Sequence, residues 1–497
     1  MKALRICALG SLAIVMALSI PFLLPANKVQ AAGDDIEINE ENFPDEVFRE
    51  YVSDNFDKDN SGSLSDAEIQ DVTGIIVKEM GISDLKGIEH FENIAILSCG
   101  KNNLTTLDVS KNTVLQSLLC ADNQLTALDL SKNTALTSLE CQNNQITTLD
   151  LSNNTALKSV NCNSNQLTTL NISKNSALEK LNCNENQLIA LDVSQNTALR
   201  YLDCSIKNIS NNRLTTLDLS KNTALKYLNF NNNQLTTLDV SKNTALTTLL
   251  CFNNELTTLD LSNNTALTTL QCEKNQLTTL DVSKSTALTD LCCGNNQLTN
   301  LDVSKNTALK LLECSRNQLT TLDVSKNTAL TTLWCEYNYL KTLDISSCKN
   351  LKELHCRMNY LTVKPNVEKL YFDPQRDTNT TVTPTPTPTP IIVGDVPINE
   401  DCFPDDIFRN YISDNFDKDN NGSLSTNENE CATEISVNEM GISDLKGIEY
   451  FTSVKLLNCS LNHLSTLDVS KCSQLCELYC FDNQLTTINA KGCTKLE

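Results

Sequence analysis

Leu246-Thr-Thr-Leu249-Leu-Cys251-Phe-Asn-Asn254-Glu-Leu256-Thr-Thr-Leu259-Asp260-Leu261-Ser-Asn-Asn-Thr-Ala266 is followed without a break by a near-copy beginning at Leu267, and that by another at Leu288. The phrase is 21 residues long and recurs from Ile94 to Leu361. A fixed period of this length predicts a solenoid, in which each unit buries its apolar residues only against its neighbours. The first apolar position falls at Ile94, Leu115, Leu136, Leu157, Leu178 and Leu199, then at Leu225, Leu246, Leu267, Leu288, Leu309, Leu330 and Leu351. One step is longer: five extra residues enter within Ser205-Ile-Lys-Asn-Ile-Ser210. They follow a strand, so they should bulge from one rim and leave the core whole. Val367, Leu370 and Phe372 repeat the strand spacing once more before Pro374, which predicts a closing rung with Phe372 over the last layer.

Within each copy, L-x-x-L-x-C reads as a short strand with its apolar positions inward and its x positions on a concave sheet. An asparagine stands three residues after the Cys slot, Asn102 through Asn359, in every full copy but the one interrupted by the insertion. Stacked amides there can satisfy buried backbone groups at each turn. The pattern resembles the leucine-rich-repeat family, L-x-x-L-x-L-x-x-N-x-L, with Cys in the third apolar slot. That resemblance implies a β-rich α/β solenoid, a horseshoe with a parallel concave sheet. The second half of the phrase, L-T-T-L-D-V-S-K-N-T-A, forms the convex return. Asn171 and Asn489 replace its aspartate in two copies, keeping the hydrogen-bonding shape without the charge. An Asx bond to a nearby backbone N–H is therefore expected, not a calcium ladder.

Twenty-two cysteines in an exported chain would ordinarily suggest disulfides. Twelve of them (Cys99, Cys120, Cys141, Cys162, Cys183, Cys204, Cys251, Cys272, Cys293, Cys314, Cys335 and Cys356) occupy one slot of successive copies. The copy that lacks the cysteine carries Phe230 instead, and neither a disulfide partner nor a metal ligand is exchangeable with phenylalanine. The slot therefore reads as packing, with free Cys acting as a small buried hydrophobe. So many unpaired thiols in an exported protein fit an organism living without oxygen. Cys348, Cys472 and Cys493 stand where other copies have the asparagine of S-K-N-T-A and read as small buried turn residues.

Export is expected from the N-terminus. Lys2 and Arg5 precede an apolar run from Ile6 to about Leu24, and Val29-Gln30-Ala31 offers small residues for cleavage. Pro21 and Pro25 interrupt the run, which argues against a retained anchor. Loss of residues 1–31 leaves 36 basic against 61 acidic residues, a net charge of −25. Such a chain repels nucleic acid and anionic lipid, and membrane insertion is not expected.

The remaining organisation is tandem. A signal peptide (1–31) precedes a non-repetitive cap (34–93) and the solenoid (94–374); a Thr/Pro-rich linker (375–396) then leads to a second cap (397–453) and the start of a second array (454–497). The linker contains Thr383-Pro-Thr-Pro-Thr-Pro-Thr-Pro390, a polyproline II spacer. Residues 398–451 match 38–91 without a gap at an offset of 360. The chain stops inside a repeat, as a piece of a longer tandem protein would.

Each cap carries one ligand motif. Asp57-Lys-Asp59-Asn-Ser61-Gly62-Ser63-Leu64-Ser65-Asp66-Ala67-Glu68 fits a twelve-residue EF-hand loop, with oxygen ligands at positions 1, 3, 5, 7 and 12 and glycine at 6. Calcium is expected on Asp57, Asp59, Ser61, Ser63 and Glu68, and in the second copy on Asp417, Asp419, Asn421, Ser423 and Glu428. The second copy meets the stricter D-x-[DN]-x-[DN]-G pattern. Phe43 to Val52 reads as the entering helix, with Pro44 at its start and Phe48 and Tyr51 on one face. A lone loop of this kind before repeats resembles the EF-hand-like N-terminal cap of the internalin family of bacterial surface proteins, over residues 38–93 and 398–453. These loops keep metal ligands better than that cap usually does, and internalin repeats are typically one residue longer. The loops are also similar to dockerin modules, which pair two such loops closely; that spacing is absent here. Calcium would be structural, holding the cap over the first rung.

No nucleophile–base set can be assembled around the three histidines, His90, His355 and His463, so an enzyme is not expected. Function should lie where the copies differ. Outward strand positions offer Lys158, Glu179, Lys180 and Asp203 early, and Lys310, Glu313 and Glu353 late. Two groups stand out as partner-binding, Arg200, Tyr201, Lys226 and Tyr227 beside the insertion and Trp334, Tyr337 and His355 near the end, with Phe252 between them. The sequence thus points to an exported adhesion or receptor-like module that recognises a protein or glycan on its concave face. An architectural envelope component or calcium-dependent spacer is the other possibility.

Overall fold

The computed structural model describes residues 35–206, 214–372, 375, 396–417, 422–425, 428–429, 432–438 and 440–496. The expected signal peptide, nearly all of the linker and most of the inserted segment lie outside these residues. The chain divides into two compact units, 1–378 and 379–497.

The first unit opens with β1 (Ile36–Glu37), α1 (Glu46–Phe56), β2 (Ser63–Leu64), α2 (Asp66–Asp71) and β3 (Gly74–Ile76). β1 pairs antiparallel with β2. The entering helix begins later than expected, because Asp45, not Pro44, caps it: its carboxylate accepts from Phe48 N at 3.1 Å. The buried face of α1 is Phe48 and Val52, and Tyr51 is only partly covered. Rings of Phe43, Phe48, Phe56 and Phe91 pack at centroid distances of 5.2–6.4 Å. Gly87 (φ +102°) admits this cluster, since a Cβ there would lie 2.3 Å from the Phe43 ring.

β3 is the first strand of a 15-stranded parallel sheet, whose later members run from Ile96–Ser98 to Lys369–Tyr371. Each strand is only three residues, ending before the Cys slot. Register follows the 21-residue step, so Leu249 faces Leu270 and Leu270 faces Leu291. A slip by one residue would expose this apolar column. One copy buries Leu246, Leu249, Cys251, Leu256, Leu259 and Leu261, each worth roughly 1.5–3 kcal/mol for a fully hidden aliphatic side chain. Every slot cysteine of the sheet is buried, and Phe230 sits fully buried among them. No disulfide joins the described cysteines.

The ladder is continuous across the insertion, with Tyr201 directly opposite Tyr227. At the far end Lys369–Tyr371 pairs with Glu353–His355, and Val367, Leu370 and Phe372 pack against the core as a closing rung. Gln375 completes that rung: it accepts from Leu361 N at 3.2 Å and donates to Cys356 O at 2.9 Å, the bonds that asparagine makes elsewhere.

The second unit repeats the cap. Val396–Pro397 pairs with Ser423–Leu424, the helix Asp406–Phe416 is capped by Asp405, and Glu434–Ser436, Leu456–Asn458 and Glu477–Tyr479 pair in parallel. Gly447 (φ +105°) lies against Phe403 as Gly87 does against Phe43.

Candidate functional site

The loop between α1 and α2 gathers carboxylates. Ligand atoms of Asp57, Asp59 and Glu68 lie within 4.8 Å of one another. Positive φ at Asn60 (+58°) and Gly62 (+83°) makes the turn that brings them together. Asp57 accepts from Ser61 N at 3.0 Å and Gly62 N at 2.9 Å, and Asp59 from Ser61 N at 3.0 Å. Ser61 Oγ and Ser63 O, the oxygens expected at positions 5 and 7, are 3.0 Å apart. Glu68 is held by a capping box, accepting from Ser65 N at 2.8 Å and from Lys58 N at 2.7 Å. Hydrogen bonds from Ser65, then from Lys58, hold its carboxyl below the usual range. Three convergent carboxylates with hydroxyl and carbonyl oxygens beside them fit a hard divalent cation. In the second loop Asp417 accepts from Gly422 N at 3.0 Å and Glu428 from Ser425 N at 2.8 Å; Asp419 and Asn421 lie outside the described residues.

The concave sheet carries two aromatic groups. Tyr201 and Tyr227, on adjacent strands, stack at 4.3 Å with 5° between ring planes. Their facing sides cover each other, and Lys180 Nζ lies 5.3 Å from the Tyr201 ring centre. Burial and then the Asp203 carboxylate raise both phenols above their ordinary range. Asp203 is fixed by Ser205 N and Oγ at 3.1 and 2.7 Å and by Asn229 Nδ2 at 3.2 Å. Arg200 and Lys226 precede these strands, and Arg200 reaches Glu179 at 3.6 Å.

The second group is one register row. Gln271, Cys292, Glu313, Trp334, His355 and Tyr371 are successive partners across six strands. His355 lies 5.2 Å from the Trp334 ring and 4.0 Å from the Tyr371 ring. Its Nε2 is 3.0 Å from Glu353 Oε1 and its Nδ1 3.8 Å from Glu336 Oε2. Arg357 Nε donates to Glu336 at 2.8 Å. Burial pushes the Glu336 carboxyl up, but His355 and Arg357 outweigh it and hold it below its ordinary range.

Phe252 and Tyr337, expected among the outward strand positions, lie instead in the turns after their strands. The reason is the short strand: sheet pairing ends before the Cys slot, and residue 337 is left-handed (φ +55°). Tyr337 is flanked by Arg316 at 4.3 Å and Arg357 at 5.6 Å, and Phe252 by Lys274 at 5.4 Å. Sequence reasoning missed Cys292, Glu336, Arg357 and Tyr371. The first three were readable by stepping 21 residues along a column; Tyr371 was not, because the closing rung breaks the step.

A solved structure of the functional domain of InlJ from Listeria monocytogenes, which includes a cysteine ladder, is similar with a TM-score of 0.63 and 29% identity. The match covers 90% of this chain and 79% of that one. The structure of an internalin, InlF, from L. monocytogenes 4b F2365 has a TM-score of 0.54 at 24% identity, over 69% of this chain and 98% of that one, which speaks for the fold alone. Among curated proteins, Internalin J of L. monocytogenes serotype 4b is 37% identical over 71 residues, 14% of this chain and 8% of that relative's length. No family profile matches the chain. Among the described residues no helix is long and apolar enough to cross a membrane.

Proposed function

We propose that this chain, an internalin-like leucine-rich-repeat protein, is an exported module that binds a protein or glycan through its concave face, with calcium holding the caps. One observation carries this reading. The convex half of the phrase barely varies, whereas the concave strands do, with the Tyr201/Tyr227 pair in place of the usual second threonine and the Trp334–His355–Tyr371 row in the variable position before the Cys slot. Aromatic residues with nearby arginine are the usual anchors of recognition. The apolar N-terminal run supports export, and the Asp57/Asp59/Glu68 cluster supports calcium.

The test is a screen of the full chain against arrayed glycans and displayed surface proteins, with Y201A/Y227A and W334A in parallel. A specific ligand should lose roughly tenfold or more in affinity with one of these variants, and a convex D260N control should bind as the unmutated chain. A ligand indifferent to both concave variants would refute the reading.

A further inference from the structure

The concave row that begins at Gln271 and the turn beside it hold two carboxylates, Glu313 and Glu273, that the packing of the solenoid does not require. Glu313 folds back from its strand so that Oε2 accepts from Gly294 N at 2.8 Å and Oε1 from Ser315 N at 3.1 Å. A Cβ at residue 294 would lie 2.4 Å from Glu313 Oε1, so glycine there makes the room. Glu273 stands in the neighbouring turn and feels the Glu313 charge, while Cys292 hydrogen-bonds to it. Its own backbone N–H also bonds to it. Glu273 Oε2 is buried with no hydrogen-bond partner, and so is Nε1 of Trp334, the register neighbour of Glu313. Glu336, one rung on, is by contrast paired with the Arg357 guanidinium, and His355 Nδ1 lies 3.8 Å from it.

A buried acceptor and a buried donor without partners each cost free energy that a threonine at the same position would avoid. Burial, then Glu313, pushes the Glu273 carboxyl up to about 8; burial likewise raises Glu313 to about 7. A positive group placed between them would return both to the ionised form. A metal ion is a poorer match: among the described residues only Asp57, Asp59 and Glu68 bring three ligand atoms within 4.8 Å.

We propose that Glu273, Cys292, Glu313 and Trp334 form a subsite for the lysine or arginine side chain of a protein partner, whose carbonyl oxygen the Trp334 indole takes up. This rests on the concave face being the binding surface, and it selects protein over glycan, because a neutral sugar brings no charge for the two carboxylates.

The chain has one tryptophan, so a single indole N–H signal reports on the site. The full chain is titrated with Nα-acetyl-arginine methylamide and with the neutral isostere Nα-acetyl-citrulline methylamide, following that signal. The arginine probe should shift it saturably, with the citrulline probe roughly tenfold weaker or more, and E273Q/E313Q should weaken the arginine probe by a similar factor. Equal response to the two probes, no response to either, or a double variant that folds and binds undiminished would overturn the subsite. The two-probe comparison on the unmutated chain decides the matter even if the variant does not fold. A protein ligand lost by Y201A/Y227A but retained by E273Q/E313Q would overturn the subsite and leave concave-face binding standing.

Discussion

Asn275 and Asn264 are both buried, yet they hold the solenoid differently. Asn275 Nδ2 donates to Cys251 O and Cys272 O at 2.9 and 3.1 Å, and its Oδ1 accepts from Leu256 N at 3.0 Å. Asn264 donates to Val240 O and Asn243 O at 3.1 and 3.0 Å, but its Oδ1 has no partner. That is why Ser285 and Cys348 can replace the second kind, each still bonding to a preceding carbonyl, while the first kind never changes in a full copy. N275A should therefore cost roughly 3 kcal/mol and N264S about 1, with urea midpoints as the measurement. Equal losses would contradict this division. The Asx bonds were legible from Asn171 alone, and Asn171 Oδ1 does accept from Ser173 N at 3.1 Å as Asp260 does from Ser262 N at 2.9 Å. The Glu273–Glu313 pair was not legible, because it joins a turn residue to a strand residue two rungs away. Its raised carboxyls mean that the folded chain holds protons the unfolded chain has lost. The stability they contribute is full below the ordinary glutamate range and falls as pH rises toward about 7 and 8. E273Q/E313Q should thus melt relatively higher than the unmutated chain at pH 8.5 than at pH 5. An unchanged difference would place the two carboxylates in solvent.

At the scale of elements, the turns after the Cys slots, other than the one at the insertion, pass through a left-handed residue, Lys101 or Asn253 or Tyr337, whatever its side chain. No sequence signal marks this position, because the ladder asparagine next to it fixes the backbone from outside. The strand is also shorter than its apolar pattern, since the Cys slot packs inward without belonging to a sheet pair. Packing of that slot has a chemical consequence. Burial pushes Cys99 and Cys162 up to about 12, and the thiolate is the reactive form. The ladder should therefore resist iodoacetamide at pH 8 in the native chain and react once unfolded; rapid native labelling would contradict the packing. The cap's helix start was misplaced by two residues, Pro44 for Glu46, because proline and aspartate are both good openers and only the Asp45 carboxylate decides. That carboxylate also accepts from Ser83 N and Oγ at 2.8 and 2.9 Å, tying α1 to the first convex turn. If calcium fills the loop beside it, calcium at a hundredfold excess over its dissociation constant should stabilise the cap by about 2.7 kcal/mol. E68Q/E428Q should abolish the gain, and a melting curve indifferent to calcium and chelator would remove the metal.

For the whole molecule, the period carried the architecture of the first unit, one 15-stranded parallel sheet over one core with a closing rung at its end, while the second unit has a core of its own. It could not reveal that rung's Gln375, which does the asparagine's work 14 residues after Leu361 where the ladder elsewhere spans 19. The site was half legible. Unusual side chains could be picked out copy by copy, but their joining into the Gln271-to-Tyr371 row needed the register. The central claim is that the phrase packs and that its concave exceptions recognise. Hydroxyl-radical footprinting of the full chain, with and without a ligand found by the screen, tests it most directly. Protection should fall on Trp334, Tyr371, Tyr201 and Tyr227, with the convex S-K-N turns oxidised at unchanged rates. Protection confined to those convex turns or to the caps would contradict it.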